Sequence, residues 1–574
     1  MHLNIKKFNK NKFLTLLIVV SFLYTSFYNL IFFELSNSPD YDYYFSYIET
    51  LFNINPETNL DQGLIYHFLI SIILAISEKS INGPNFQIYV SNAIHLVNNL
   101  VFLIGLLGLN HLLKFYKIKT FDRKLILLLS IFLPFVTQAR FHYKPEIFAI
   151  AFIPWIVFNT LKFLKDKKFE NLIYCITLFT GTAFLKGNIF TMLSIFLFFL
   201  ILKHLKDIPL IDIFKGILYF MIISTPLVYE NQKFNGTNLF SNTQKRITSA
   251  NYENTLSIDF FTNFSFYKFI RKPNFDPENV NFFSTIFVDT FNDFFGVSWN
   301  IDHFPMSKEF EIFENWMLNK LLNFSEYYLS FAFGVMFYSY LIYLIFKNKN
   351  EKIFFIAPFI GIFVLIINSL GFPFKNFDPA KGDTFKSIYF SFLLFISIIY
   401  LFKNLFLKVE RFKKVTIVFG LVLFSIFSMG IDTEIFENKR FVSQKSFVLQ
   451  HSPLCKLGEF IDFNIFDPNC NPPSDSCLEP SIKDNYTKKE VQKDGSIVFF
   501  QDDAFKEIYM FNEKNKDTKL VSGFDECYHY QELGYIHSFR INNLRIPIYN
   551  IFLFTLMIGI VYKNTYDSRT KKSN

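Results

Sequence analysis

The sequence predicts an all-α polytopic membrane protein with about twelve transmembrane helices, outer-face loops and a smaller mixed C-terminal outer domain. Two observations carry this expectation. Of 574 residues, 51% are hydrophobic and only 18% charged, with a mean hydropathy of +0.25, which is too apolar for an ordinary soluble chain. In addition, apolar runs of spanning length alternate with short basic clusters along the whole chain. The 82 phenylalanines, with abundant Ile, Asn and Lys, fit the codon usage of an AT-rich genome and read as lipid-facing or core filler. That composition points to a bacterial source.

A helix needs roughly 20 apolar residues to cross a bilayer. The expected spans are 13–33, 88–113, 124–138, 146–163, 170–185, 188–205, 211–229, 326–346, 352–371, 387–407, 414–431 and 546–562. The first resembles a signal peptide but lacks a small-residue cleavage site, so it is read as an uncleaved span. Basic clusters stand before the first span, at 114–124, 162–168, 203–215, 347–352 and 408–414, and in the tail after 562. If each is cytoplasmic, both termini lie inside and the positive-inside rule is satisfied throughout. The apolar run Gly63–Ser77 is too short for a span and is laid on the outer membrane surface.

Five regions follow. Residues 1–230 form a transmembrane core with a first outer loop at 34–87. Residues 230–325 form a large outer loop, and 326–431 supply further spans. Residues 432–545 form an outer domain, and 546–574 give the last span and a cytoplasmic tail. The outer domain holds Cys455, Cys470, Cys477 and Cys527, whose spacing fits no metal motif. An even number of cysteines on an oxidising face makes them disulfide candidates of open connectivity. Cys175 lies within a span and is expected to be packing. The chain holds no Walker loop, GxGxxG, HExxH or GxSxG, so nucleotide chemistry has no support, and no basic arm suggests nucleic acid.

The remaining polar residues fall on the outer side of this scheme. Asp40 and Asp42 follow the first span in SPDYDYYFSYIETLF, and Asp61 opens the surface helix. Arg140, His142, Lys144 and Glu146 share a short loop before the fourth span, Lys186 occupies a three-residue turn, and Lys386 precedes the tenth span. Cations at outer span ends run against the usual bias, and charge at membrane depth is often functional. Each also has a bland reading. Lysines snorkel to headgroups. Ser38-Pro39-Asp40 is a good cap sequence, and Glu146 after Pro145 suits a helix start. The tyrosines near Asp42 read first as an interfacial belt and second as a sugar-stacking surface, and Trp299 carries the same ambiguity.

Carboxylates facing several cations suit glycosyl transfer from a polyprenyl-phosphate sugar. A carboxylate takes the proton of the attacking acceptor hydroxyl. The leaving phosphate needs no acid, and Arg and Lys stabilise its growing charge. A single displacement inverts the anomeric carbon.

On these stretches the chain resembles the GT-C superfamily of integral-membrane glycosyltransferases, which includes protein O-mannosyltransferases, lipid A aminoarabinose transferases and oligosaccharyltransferases. The likeness lies in SPDYDYYFSYIETLF followed by DQGLIYHFLISIILAI, in NGPNFQIYVSNAIHLVNNLVFLIGLLGL and in ARFHYKPEIFAIAFIPW, and it covers about the first 230 residues. The resemblance implies a catalytic base at Asp42 or Asp40, with Asp42 preferred. It also implies donor-phosphate contacts from Arg140, Lys144, Lys186 and Lys386 around one outer-face cavity, and substrate contacts from Glu146, Asp61 and Trp299. No cofactor is required, although a divalent cation serves some relatives, and the adjacent Asp302–His303 pair is a weak ligand set. The implied partners are a polyprenyl-phosphate-linked sugar, a glycan or lipid acceptor and the membrane, with no nucleic acid. The implied location is a bacterial inner membrane with the site facing the periplasm. The alternatives are an O-antigen polymerase or ligase, for which Arg246, Arg271 and Lys272 speak, and a twelve-helix lipid or solute transporter. Against the transporter, no internal repeat is visible.

Overall fold

The computed structural model describes residues 10–32, 41–52, 62–77, 86–202, 204–235, 261–262, 282–291, 317–348, 351–371, 386–428, 488–491, 496–500, 508–512, 517–522 and 544–570. The helices are α1 (Lys10–Phe32), α2 (Tyr41–Leu51), α3 (Ile65–Ile76), α4 (Phe86–Phe115), α5 (Thr120–Phe132), α6 (Pro134–Phe141), α7 (Glu146–Asp166), α8 (Phe169–Ala183), α9 (Gly187–Leu202) and α10 (Leu210–Asn235). They continue as α11 (Phe282–Asp289), α12 (Met317–Lys347), α13 (Lys352–Gly371), α14 (Ser391–Lys408), α15 (Arg411–Ser428) and α16 (Ile548–Thr570). Among the described residues, each of the twelve stretches expected to span therefore falls mainly on helix. By length and composition, six helices can cross a membrane, or seven if the bent pair α5–α6 counts as one. The protein is thus a mostly helical, membrane-integrated chain.

Strands β1 (Lys488–Val491), β2 (Ser496–Phe500), β3 (Ile508–Asn512) and β4 (Asp517–Ser522) form an antiparallel meander within the region expected to be mixed. The four cysteines proposed as disulfide candidates, Cys455, Cys470, Cys477 and Cys527, lie outside the described residues. Cys175 is buried and shares a 3.0 Å hydrogen bond with Thr160, in keeping with a packing role.

At the centre is α7, buried along nearly its whole length. It lies against α4 at small residues: a Cβ on Gly105 would sit 2.7 Å from the Ala151 Cα, and one on Gly108 2.6 Å from the Trp155 ring nitrogen. Trp155 Nε1 donates to the Ile104 carbonyl at 2.9 Å, satisfying the indole inside the seam. Such close backbone approach is how helices pack where lipid gives no hydrophobic drive between them. By contrast, α10 leaves Leu210, Phe214, Ile217 and Met221 exposed, a surface suited to lipid.

Contacts gather the basic segments at one end. Lys124 donates to the Asn11 carbonyl and Thr15, and Lys414 pairs with Asp122 at 2.9 Å. Lys403 pairs with Glu351 and lies 4.0 Å over the Tyr116 ring. Lys165 approaches Phe115, Lys215 approaches Phe169, and Lys563 pairs with Glu170. The helix ends opposite these carry the loop from Arg140 to Glu146, the Lys186 turn and Lys386.

Candidate functional site

Two prolines shape the central loop. Pro134 opens α6 and holds Leu133 extended, as the residue before a proline prefers, so α5 and α6 meet at a 53° bend. Pro145 stands immediately before α7 as its N-cap residue. Between them, α6 ends at His142, whose amide donates to the Gln138 carbonyl, and the chain turns through Tyr143 and Lys144. Asn98 on α4 fixes this turn. Its amide donates to the Arg140 carbonyl at 2.9 Å and the His142 carbonyl at 3.0 Å, while its oxygen accepts from Tyr66 at 2.7 Å.

Tyr44 on α2 is the meeting point of the cations. Lys186 donates to its hydroxyl at 3.2 Å, and Lys144 lies 5.0 Å over its ring. Lys186 also pairs with Glu146 at 2.7 Å and lies 4.7 Å over the ring of Tyr389, three residues beyond Lys386. Burial works against the Lys186 ammonium, but the Glu146 carboxylate and Tyr44 phenol outweigh it, so its pKa lies above the ordinary lysine value. The second oxygen of Glu146 is buried without a hydrogen-bond partner. Lys386 is buried at the start of the 3-10 turn Ser387–Phe390, which Asp289 of α11 anchors through the Ser387 amide and hydroxyl.

Next to Tyr44 is a buried aromatic seam. His67 on α3 stacks on Tyr47 with centroids 4.2 Å apart and shares a 2.8 Å hydrogen bond with Tyr143. The expected tyrosine belt is corrected here: Tyr44 and Tyr47 are buried, because their hydroxyls reach Lys186 and the Gln62 amide inside the protein. Gly63 brings α3 against the α8–α9 turn, its amide donating to the Leu185 carbonyl at 3.0 Å.

The structure therefore brings Lys144, Lys186 and Glu146 together and sets Lys386 one turn from Tyr389. It turns Arg140 elsewhere. The guanidinium is buried between Phe22 and Phe102 and donates from Nη2 to Thr25, Ser26 and Asn99 at 3.1, 3.3 and 2.9 Å. Glu146 is the first residue of α7, as its helix-start reading expected, and its side chain also accepts from Lys186. Asp42 lies at the second position of α2. Its side chain lies outside the described residues, as do Asp40, Asp61, Trp299, Asp302, His303, Arg246, Arg271 and Lys272. Among the described residues no three His, Cys, Asp or Glu side chains converge as metal ligands.

Sequence reasoning missed Tyr389, His67, Tyr143, Tyr66 and Asn98 as parts of the site. The one available signal was Asn98–Asn99, an amide pair in an otherwise apolar span, since buried amides must be satisfied. No family model, curated protein or solved structure matches this chain.

Proposed function

We propose that the protein is an inverting glycosyltransferase that moves a sugar from a polyprenyl-phosphate-linked donor to an envelope acceptor hydroxyl. In this reading all twelve apolar helices span, the basic ends are cytoplasmic, and the site faces the periplasm of a bacterial inner membrane. The observation that supports it is the convergence of Lys144 and Lys186 on Tyr44, on the first helix after α1, with Glu146 beside them.

The chemistry follows from these groups. The phosphate of the donor lies against Lys144 and Lys186, with Lys386 adjoining, and gains negative charge as the anomeric C–O bond breaks. The acceptor oxygen attacks from the opposite face of the sugar, and its proton passes to Asp42 or Asp40. Glu146 holds the Lys186 ammonium at the end of α7, so it positions a phosphate ligand and does not touch sugar. Tyr44 orients both lysines.

The test is transfer of radiolabel from a polyprenyl-phosphate sugar in membranes containing the protein, with envelope glycans compared by mass spectrometry with and without the gene. Asp42→Asn or Asp40→Asn is expected to abolish transfer at unchanged abundance. Full activity in both variants removes the base assignment, and identical glycans with and without the gene remove the reaction.

A further inference from the structure

Arg140 is the most unusual charge in the described residues. It is fully buried, and no carboxylate meets it. All three of its hydrogen bonds leave from Nη2. Nε and Nη1 are buried and have no partner. A guanidinium carries five N–H bonds, so the one on Nε and the two on Nη1 lack acceptors. A buried cation in this condition is costly unless an anion completes it.

The pocket is built to hold the guanidinium, and it is separate from the Lys186 cluster. The Thr25 hydroxyl spends its own hydrogen on the Ser21 and Phe22 carbonyls, which leaves its lone pairs for Arg140. Phe22 and Phe102 lie 5.5 and 4.7 Å from the guanidinium carbon. The hydrogen-bond partners of Arg140 stand on α1 and α4, whereas Lys144 and Lys186 meet at Tyr44 on α2. Both helices that contribute them also leave an apolar face uncovered: Leu16, Leu23 and Phe27 on α1, and Leu96, Leu100 and Leu103 on α4. A charge with open donors thus adjoins apolar faces of the width and chemistry that lipid chains cover.

We propose that the α1–α4 seam binds an anionic membrane phospholipid, its phosphate accepting from Nε and Nη1 of Arg140 and its chains lying along the exposed faces of the two helices. The phosphate supplies the negative charge that the protein does not, and guanidinium–phosphate hydrogen bonds are among the stronger charge-assisted kind. Entry requires the end of α1 to part from α4 at Thr25 and Asn99. The site does not depend on glycosyl transfer, and a protein inactive in transfer would still show it.

The experiment uses the full chain carrying Leu103→Trp in phosphatidylcholine nanodiscs, with the quenching of the new tryptophan read against the parent protein. Brominated phosphatidylglycerol is expected to quench at about a tenfold lower mole fraction than brominated phosphatidylcholine. Equal mole fractions overturn the proposal. Loss of the preference in millimolar inorganic phosphate, but not in chloride of equal ionic strength, also overturns it, because the anion is then free rather than lipid-borne. In the same background Arg140→Gln is expected to bring the two lipids together, and a preference that survives in folded Arg140→Gln protein removes Arg140 as the ligand. If Arg140→Gln does not fold, the comparison of the two brominated lipids with Arg140 intact still decides.

Discussion

The two ends of the helix bundle treat charge differently. At the basic end Lys414 meets Asp122, Lys403 meets Glu351 and Lys563 meets Glu170, so each of these cations has its own carboxylate. At the opposite end Arg140 meets hydroxyls, an amide and two rings, and Lys144 lies over a phenol ring. Lys186 has a carboxylate there, but one whose second oxygen is left over. The first pattern closes on itself and locks helices together. The second leaves Nε and Nη1 of Arg140 and one Glu146 oxygen without a partner, and buried charge left in that state is more often found at functional sites.

The sharpest way to break this contrast is at Glu146. Glu146→Gln leaves the Lys186 ammonium without its counter-charge and is expected to cost about 3–5 kcal/mol. The measurement is thermal unfolding in detergent, with lipid-linked sugar transfer assayed alongside. Replacing both partners, Glu146→Leu with Lys186→Met, removes the stranded charge and is expected to restore most of the stability while transfer stays lost. Transfer by the stable double variant would place the pair among the structural ones.

The same operation at the other end should separate differently. Lys414→Met strands the buried Asp122 carboxylate and is expected to cost about 3 kcal/mol in the same unfolding measurement. Lys414→Met with Asp122→Leu is expected to come within about 1 kcal/mol of the parent. Here transfer should return with the fold, because the proposed site lies at the opposite end. Failure of transfer in a stable double variant would make the basic end part of the function too.

Much of this layout is legible in the sequence. Hydropathy alone picks out twelve stretches that fall mainly on helix among the described residues, because roughly 20 apolar residues in a row have few other ways to satisfy their backbone. Alternating Lys and Arg clusters anticipate which helix ends come together. The three-residue turn at Lys186 and the proline-framed loop through Lys144 are likewise visible as breaks between apolar runs. What the sequence does not give is direction. Arg140 and Lys144 are four residues apart, yet the helix end at His142 sends one toward α1 and the other toward α2. Tyr44 looks like an interfacial tyrosine, because a phenol suits either a headgroup layer or a buried ammonium, and only the partner distinguishes them.

The smallest expected effect tests how tightly the Lys186 turn must be held. Gly63 begins the approach of α3 to this turn, and a Cβ there would lie 2.4 Å from the Phe184 carbonyl oxygen and 3.2 Å from the Leu185 Cα. Both obstacles are backbone, so no side chain can swing away, and Gly63→Ala must push the turn or α3 outward. The steric cost is expected to be about 1–3 kcal/mol in the unfolding measurement. Lys186 follows Leu185 directly, so the same displacement carries the ammonium away from Glu146 and Tyr44. Transfer should therefore fall further than stability does, since positioning errors near one ångström cost a reaction far more than they cost a fold. If Gly63→Ala unfolds more easily but transfers at the parent rate, the turn tolerates displacement, and the Lys186–Glu146 pair is a lock of the same kind as Lys414–Asp122.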